Sequence, residues 1–261
     1  YKVTGVQTCA LPIYKIRNKM KKLITTIAFI ALTTVSAKAI EMEMFSITGG
    51  IATNQSVFGA TAKQDDYNAA GTSIETTDKE HGVFTESFGS QFVELGIGRW
   101  ISLGFEHVPD SISTPQNIND AGVTSGNSST VATSTVSVDF NDMNTTYLKL
   151  NTPMGIYFKY GTVSTDLDIK ETQLSGNTYK NTSVDGTSMG AGYQKTLGER
   201  GFGFRIEGNY VDLDSVTVNN GVTKTAGTGL NNFKEIKATN LEGLTGKVAL
   251  TYTFGRSGNS F

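Results

Sequence analysis

The chain has little of what staples, kinks or catalyses. A single cysteine, Cys9, stands among 261 residues, so no disulfide framework holds the fold. Prolines number 4, too few to break up long strands. Two histidines, His81 and His107, are the whole supply of the side chain most used for general-base or metal chemistry. Beyond residue 39 no apolar run reaches the roughly 18 residues of a membrane-spanning helix. Positive charge is short as well. Of the 22 Lys and Arg, seven fall in residues 1–39, which hold no acid, so 15 remain against 24 Asp and Glu, a net charge of −9 over 40–261. That balance argues against a nucleic-acid partner, whose phosphates demand a basic patch. What abounds is Gly, Thr, Ser and Asn, with aromatics at 10%.

The first residues do not read as the start of a protein. Val3–Ile13, VTGVQTCALPI, is the translation of a common sequencing-library adapter, so residues 1–19 are expected to be artefactual upstream translation, Cys9 included. From Met20 the pattern changes. Met20-Lys21-Lys22 is a basic n-region, Leu23–Val35 an apolar h-region, and Ala37-Lys38-Ala39 a small–x–small cleavage site. Residues 20–39 therefore read as a cleaved signal peptide, and 40–261 as one all-β domain.

Alternation dominates that domain. In TGKVALTYTF, Val248, Leu250, Tyr252 and Phe254 share one face, opposed by Lys247, Ala249, Thr251 and Thr253. GFGFRIEGNY and WISLGFEH repeat the pattern, with Phe202, Phe204 and Ile206, and then Ile101, Leu103 and Phe105, as the apolar sets. Period two with one apolar face marks a β-strand. Eight strands are predicted near 43–60, 84–97, 100–109, 136–151, 155–168, 186–196, 201–214 and 240–254. Short turns at Gly98–Trp100, Thr152–Gly155 and Leu197–Gly201 alternate with long polar loops over 61–82, 110–135, 170–185 and 215–239. Within the last loop, VTVNNGVTK reads as a hairpin with an Asn-Gly turn.

The face opposite the apolar one mixes charges with very small residues: Glu94 with Gly96, Glu106 with Gly104, Lys159 with Gly161, Arg205 with Gly203. Small residues beside charges suit a narrow lumen, which eight strands just fill with side chains. Glu94, Glu106 and Glu207 against Lys149, Lys159, Arg205 and Lys247 are expected to pair there as an internal ion network. The apolar face then meets lipid, and only a closed barrel satisfies every backbone group of a sheet in a bilayer. Trp100, Phe202, Tyr252, Phe254 and Tyr157 read as an interfacial aromatic girdle near the short turns.

The signal segment, the eight-strand plan and the closing LTYTF together resemble the small OmpA/OmpX/opacity-type outer-membrane β-barrel proteins of Gram-negative bacteria. The resemblance implies an antiparallel up-and-down transmembrane barrel with four long extracellular loops and three short periplasmic turns. It implies that Val248, Leu250, Tyr252 and Phe254 form the last strand read by the assembly machinery. The tail GRSGNSF after Phe254 departs from relatives that stop at the aromatic. The partners implied are outer-membrane lipid, lipopolysaccharide and that machinery, with external partners reached through the loops. No constellation points to a cofactor, and the Asp166–Asp168 and Asp212–Asp214 pairs lack calcium-loop spacing. Three functions remain: a structural or surface-interaction protein, a narrow porin-like channel, and a lipid A-modifying enzyme. For the last, His107, Ser111 and Asp110 supply a rim His–Ser–acid set whose spacing matches no such family.

Overall fold

In the computed structural model the strands described below belong to the compact unit 42–261. The structure describes residues 45–68, 70–125, 128–172, 178–198, 200–224 and 232–255, with the backbone alone over 119–134. The segments 1–19 and 20–39, and the tail after Gly255, lie outside the described residues.

Every described element is a strand: β1 (Phe45–Tyr67), β2 (Ile74–Ile97), β3 (Ile101–Val108), β4 (Ile112–Ser113), β5 (Asn117–Ser125), β6 (Ser128–Asn151), β7 (Ile156–Thr172), β8 (Thr182–Thr196), β9 (Phe202–Leu213), β10 (Val216–Asn219) and β11 (Lys234–Gly255). Hydrogen bonding runs β1-β2-β3-β6-β7-β8-β9-β11, and β1 pairs antiparallel with β11, closing an eight-membered ring. β4 and β5 continue along β6 beyond the end of β3, and β10 pairs with β11. Closure leaves no edge within the ring, so the backbone needs no water there.

Three tight connections, β2–β3, β6–β7 and β8–β9, gather at one end, and the long ones at the other. Gly98 and Gly155 hold φ of 61° and 80° in two of the tight turns, a conformation that a Cβ makes costly. Along the turn-side part of the ring strands, large apolar residues are exposed. Ile51, Leu103, Phe158, Ile206 and Leu250 are all more than half exposed, as the outer wall of a barrel facing lipid requires. Trp100 and Phe202 are also exposed near the turn end, where Tyr252 stacks edge-on against Phe202 at 4.8 Å and Phe254 at 4.5 Å.

Three expectations need correction. The polar stretches are largely strand: β1 and β2 pair to Asp66↔Thr76 across most of 61–82, and β6 pairs with β5 and β7 through much of 110–135 and beyond. Outside a bilayer both faces of a strand meet water, so the apolar alternation that marks a strand vanishes while the ladder persists. VTVNNGVTK is not its own hairpin, because Val216–Asn219 pairs with Ala238–Glu235 of β11. Tyr157 does not belong to the girdle: it is 1% exposed and points inward, in phase with Lys159 and Gly161.

Candidate functional site in the barrel interior

Inward positions of eight strands converge on a space only one side chain deep. Toward the tight turns that space is ionic. Arg205 on β9 donates from both terminal nitrogens to Glu94 on β2, at 2.8 and 2.7 Å, and from one of them to Gln194 at 2.7 Å. Lys149 on β6 donates to the same carboxylate, and to Gln194 at 3.2 Å. The Tyr147 hydroxyl adds a third donor to Glu94 at 2.7 Å. One carboxylate thus accepts from two cations and a phenol, the forked arginine contact being the strongest geometry available to it.

A second group lies one step toward the long connections. Lys247 on β11 donates to both oxygens of Glu106, at 2.5 and 2.6 Å, and to Glu207 at 3.1 Å. Lys159 on β7 bridges the same two acids, 2.6 Å from Glu207 and 3.4 Å from Glu106. Tyr157 and Asn209 complete Glu207 at 2.5 and 2.6 Å. The two groups interlock through aromatic rings. Arg205 lies 4.4 Å over Phe92 and 5.0 Å over Tyr157, while Lys159 lies 4.8 Å over Tyr147, contacts that stabilise a desolvated cation.

The structure therefore brings Glu94, Glu106, Lys149, Lys159, Arg205, Glu207 and Lys247 into one lattice in which none is more than 7% exposed. Sequence reasoning missed Tyr147, Tyr157, Phe92, Gln194 and Asn209, which complete it. The glycines make room for the rings. A methyl on Gly104 would lie 2.3 Å from Cζ of Tyr147, and one on Gly192 would lie 2.4 Å from the Tyr157 hydroxyl.

Farther along the axis the interior turns apolar, which the small-and-charged reading of the inner face did not foresee. Val108, Ile112, Met143 and Val163 form one buried cluster, with Phe58, Phe84, Phe88, Phe140, Val211 and Leu213 packed around it. These residues come from seven strands of the molecule and meet only because all project inward. Ile112, 1% exposed, belongs to β4, so the chain leaving β3 is itself part of this collar.

The remaining candidates do not assemble. His107 sits on the outward face with its Nδ1 2.9 Å from Oδ1 of Asn144. Ser111 Oγ donates to Asn141 instead of meeting His107. His81 pairs with the Thr61 hydroxyl at 2.9 Å on an exposed strand. Asp168 accepts from Asn141 and Asn181 at 2.9 and 2.8 Å, and no cluster of metal-ligating side chains occurs among the described residues. Val248 and Leu250 face outward, and Tyr252 and Phe254 continue that face to the turn end.

No protein-family model matches the chain, and no curated protein matches it. Solved structures do resemble it. OprG, an outer membrane protein of Pseudomonas aeruginosa, aligns with a TM-score of 0.42 at 10% identity, over 79% of this chain and 97% of that one. The outer membrane protein AlkL, solved in lipid bilayers, gives 0.45 and 12%, over 85% and 96%. The outer membrane protease OmpT of Escherichia coli gives 0.37 and 9%, over 85% and 100%. All three are outer-membrane proteins, and at such low similarity nothing about the role of this chain follows from them.

Proposed function

We propose that this chain is a Gram-negative outer-membrane barrel with a structural and surface-interaction role, its interior sealed and its extended strands presented outside the cell. In this reading the long connections are extracellular and the tight turns periplasmic. The observation that carries it is the interior: an ionic lattice and an apolar collar lie in series along the axis, and Arg205, Glu94 and Glu207 are 1%, 2% and 3% exposed. Eight strands leave little free lumen to begin with. With the axis closed, what remains to act is the outer wall, which lipid covers, and the strands that run past it.

The test is single-channel conductance of the refolded chain in a planar bilayer, with a heat-modifiability gel showing that the barrel has formed. Silence from a folded barrel is the expected result. Steady, discrete conductance at moderate salt would overturn the sealed reading in favour of a narrow porin-like channel. No catalytic role is assigned. His107→Ala should leave lipid A chemistry unchanged in cells carrying the protein, and an altered lipid A would return the enzyme reading.

A further inference from the structure

On the strands that run past the barrel, Lys79, Lys63 and Lys237 occupy one lateral row. Lys63 on β1 is the direct partner of Lys79 on β2 and of Lys237 on β11. Like charges directly opposite one another destabilise a sheet, and here three stand abreast. The chain can ill spare them: four of the 15 basic residues of 40–261 are already inside the barrel. Their spacing is that of the strands, so the row spans about 10 Å.

The row faces outward, on the continuation of the lipid-facing wall. β1 and β2 stay in register without a shift from Ile97 to Thr76, so the side that carries exposed Ile51 and Val57 also carries Thr61 and Lys63. On β11 a bulge intervenes between Glu242↔Gly59 and Thr239↔Thr61, at Asn240, whose φ is 51°. That extra residue moves the outward positions from even to odd numbers and returns Lys237 to the same face. Lys79 and Lys237 are exposed, and the Lys63 side chain is 38% exposed beside Asp65 at 2.6 Å.

The height of the row is informative. Val83, 76% exposed, pairs with Gly59 at the outer limit of the apolar wall. Lys63 lies four residues beyond Gly59, about 13 Å along the strand and nearer 10 Å along the axis once tilt is counted. The hydrocarbon ends at the limit of the apolar wall, so the row stands on the polar side of that boundary, about at the outer edge of the headgroup layer. Between wall and lysines lies a hydrogen-bonding row, Thr239, Thr61 and His81. One row farther out stand Glu235 and Asp65, the latter already occupied by Lys63 and by Thr77 at 2.6 Å.

We infer that Lys63, Lys79 and Lys237 form a docking row for the phosphates of outer-leaflet glycolipid, the phosphorylated headgroup of lipopolysaccharide. The inference rests on the proposed orientation, with the long connections outside. Lysines are point-charge donors suited to phosphate, an anionic headgroup relieves their mutual repulsion, and acyl chains would continue down the wall below.

The test uses the full chain refolded in phosphatidylcholine vesicles, wild type beside the triple variant Lys63→Gln, Lys79→Gln, Lys237→Gln. A control triple, Lys170→Gln, Lys180→Gln, Lys195→Gln, removes the same charge elsewhere. Equilibrium binding is measured with bis-phosphorylated lipid A, with its dephosphorylated form and with soluble inositol hexakisphosphate. The expected result is at least a tenfold preference of wild type for the phosphorylated lipid, lost in the row variant and kept in the control; lysines at an anionic surface act near-additively and weaken with salt. Equal lipid A binding by wild type and row variant overturns the inference, as does equal loss in the control. Hexakisphosphate bound as tightly as lipid A overturns the lipid source in favour of free polyanions. If the triple does not refold, Lys79→Gln with Lys237→Gln, both at exposed positions, must show the same loss. Failure of the barrel reading is separate: wild type would then fail to float with vesicles before any lipid preference is measured.

Discussion

Toward the tight turns the barrel interior is held by directional charge. Glu94 alone receives Arg205, Lys149 and Tyr147. Toward the long connections it is held by Val108, Ile112, Met143 and Val163, which ask of one another only shape. The two halves fill the same narrow cylinder by opposite means, and they fail differently. A buried ion lattice depends on every member, because removing one partner strands a charge in a medium that cannot solvate it. An apolar collar degrades by increments, as cavities open where methyl groups are lost. Lying in series, they also make the closure redundant: opening one half leaves the other shut.

The largest effect expected from breaking this comparison comes from Arg205→Ala. It removes the forked contact to Glu94 and the bond to Gln194, and leaves Lys149 and Tyr147 to hold the carboxylate. A loss of about 3–5 kcal/mol is expected, read as a lowered urea midpoint of the refolded barrel in vesicles. Arg205→Lys should fall between, since a point ammonium cannot reproduce the fork. Neither variant should conduct, because the collar remains. Conductance from Arg205→Ala alone would show that the ionic half is the whole seal.

Met143→Ala attacks the other half. The side chain is 8% exposed inside the collar, so truncation should cost about 2–3 kcal/mol, at the low end for buried methionine because its neighbours adapt. The stability loss should add to that of Arg205→Ala, and the double variant is where conductance should first appear. A silent double variant would mean that side chains on either half relax into the gap. Gly104→Ala should cost somewhat less, about 1–3 kcal/mol, because its methyl would press on the Tyr147 ring, which is 2% exposed and has nowhere to go. An unchanged midpoint would show that Tyr147 is looser than its contacts imply.

How much of this was legible follows the same division. Charged inner positions stand out against an apolar outer face, so period two alone puts Glu94, Lys149 and Arg205 on one side of the sheet. Apolar inner positions do not stand out. Val108, Met143 and Val163 lie where the outward neighbours are His107, Asn144 and Ser164, so apolar and polar residues have swapped faces and period two alone does not say which face is inner. Tyr157 misleads for a related reason, since an aromatic next to a turn reads as girdle. Its phase with Lys159 and Gly161 was the signal that it points inward. Beyond the membrane contrast fails entirely. Strand 61–67 alternates Thr, Lys and Asp with Ala, Gln and Asp, which reads as loop although it is fully paired. The lysine row is invisible in the chain for a further reason: it exists only once register sets residues 63, 79 and 237 side by side, and a bulge at Asn240 has to be known first.

The smallest effect concerns an ion pair in water. Lys63–Asp65 has side-chain exposures of 38% and 13%, against 1% and 2% for Arg205–Glu94, so it is screened and adds little to overall stability. Its carboxyl should nevertheless report on the strands beyond the barrel. The hydrogen bond from Lys63, and then that from Thr77, hold Asp65 below its ordinary value of 3.8, with burial opposing. A folded value depressed in this way contributes stability above pH 3.8, which is lost as pH falls through the folded value. The same sign applies to Asp139, held down chiefly by Lys170. Limited proteolysis of the 61–80 hairpin should therefore be slow at neutral pH and quicken only below the ordinary carboxylate range. In Asp65→Asn that acid-dependent step should shrink, while the heat-modifiability of the barrel stays the same. Proteolysis that quickens at the same pH in wild type and variant would show that Asp65 is not the group whose protonation loosens these strands.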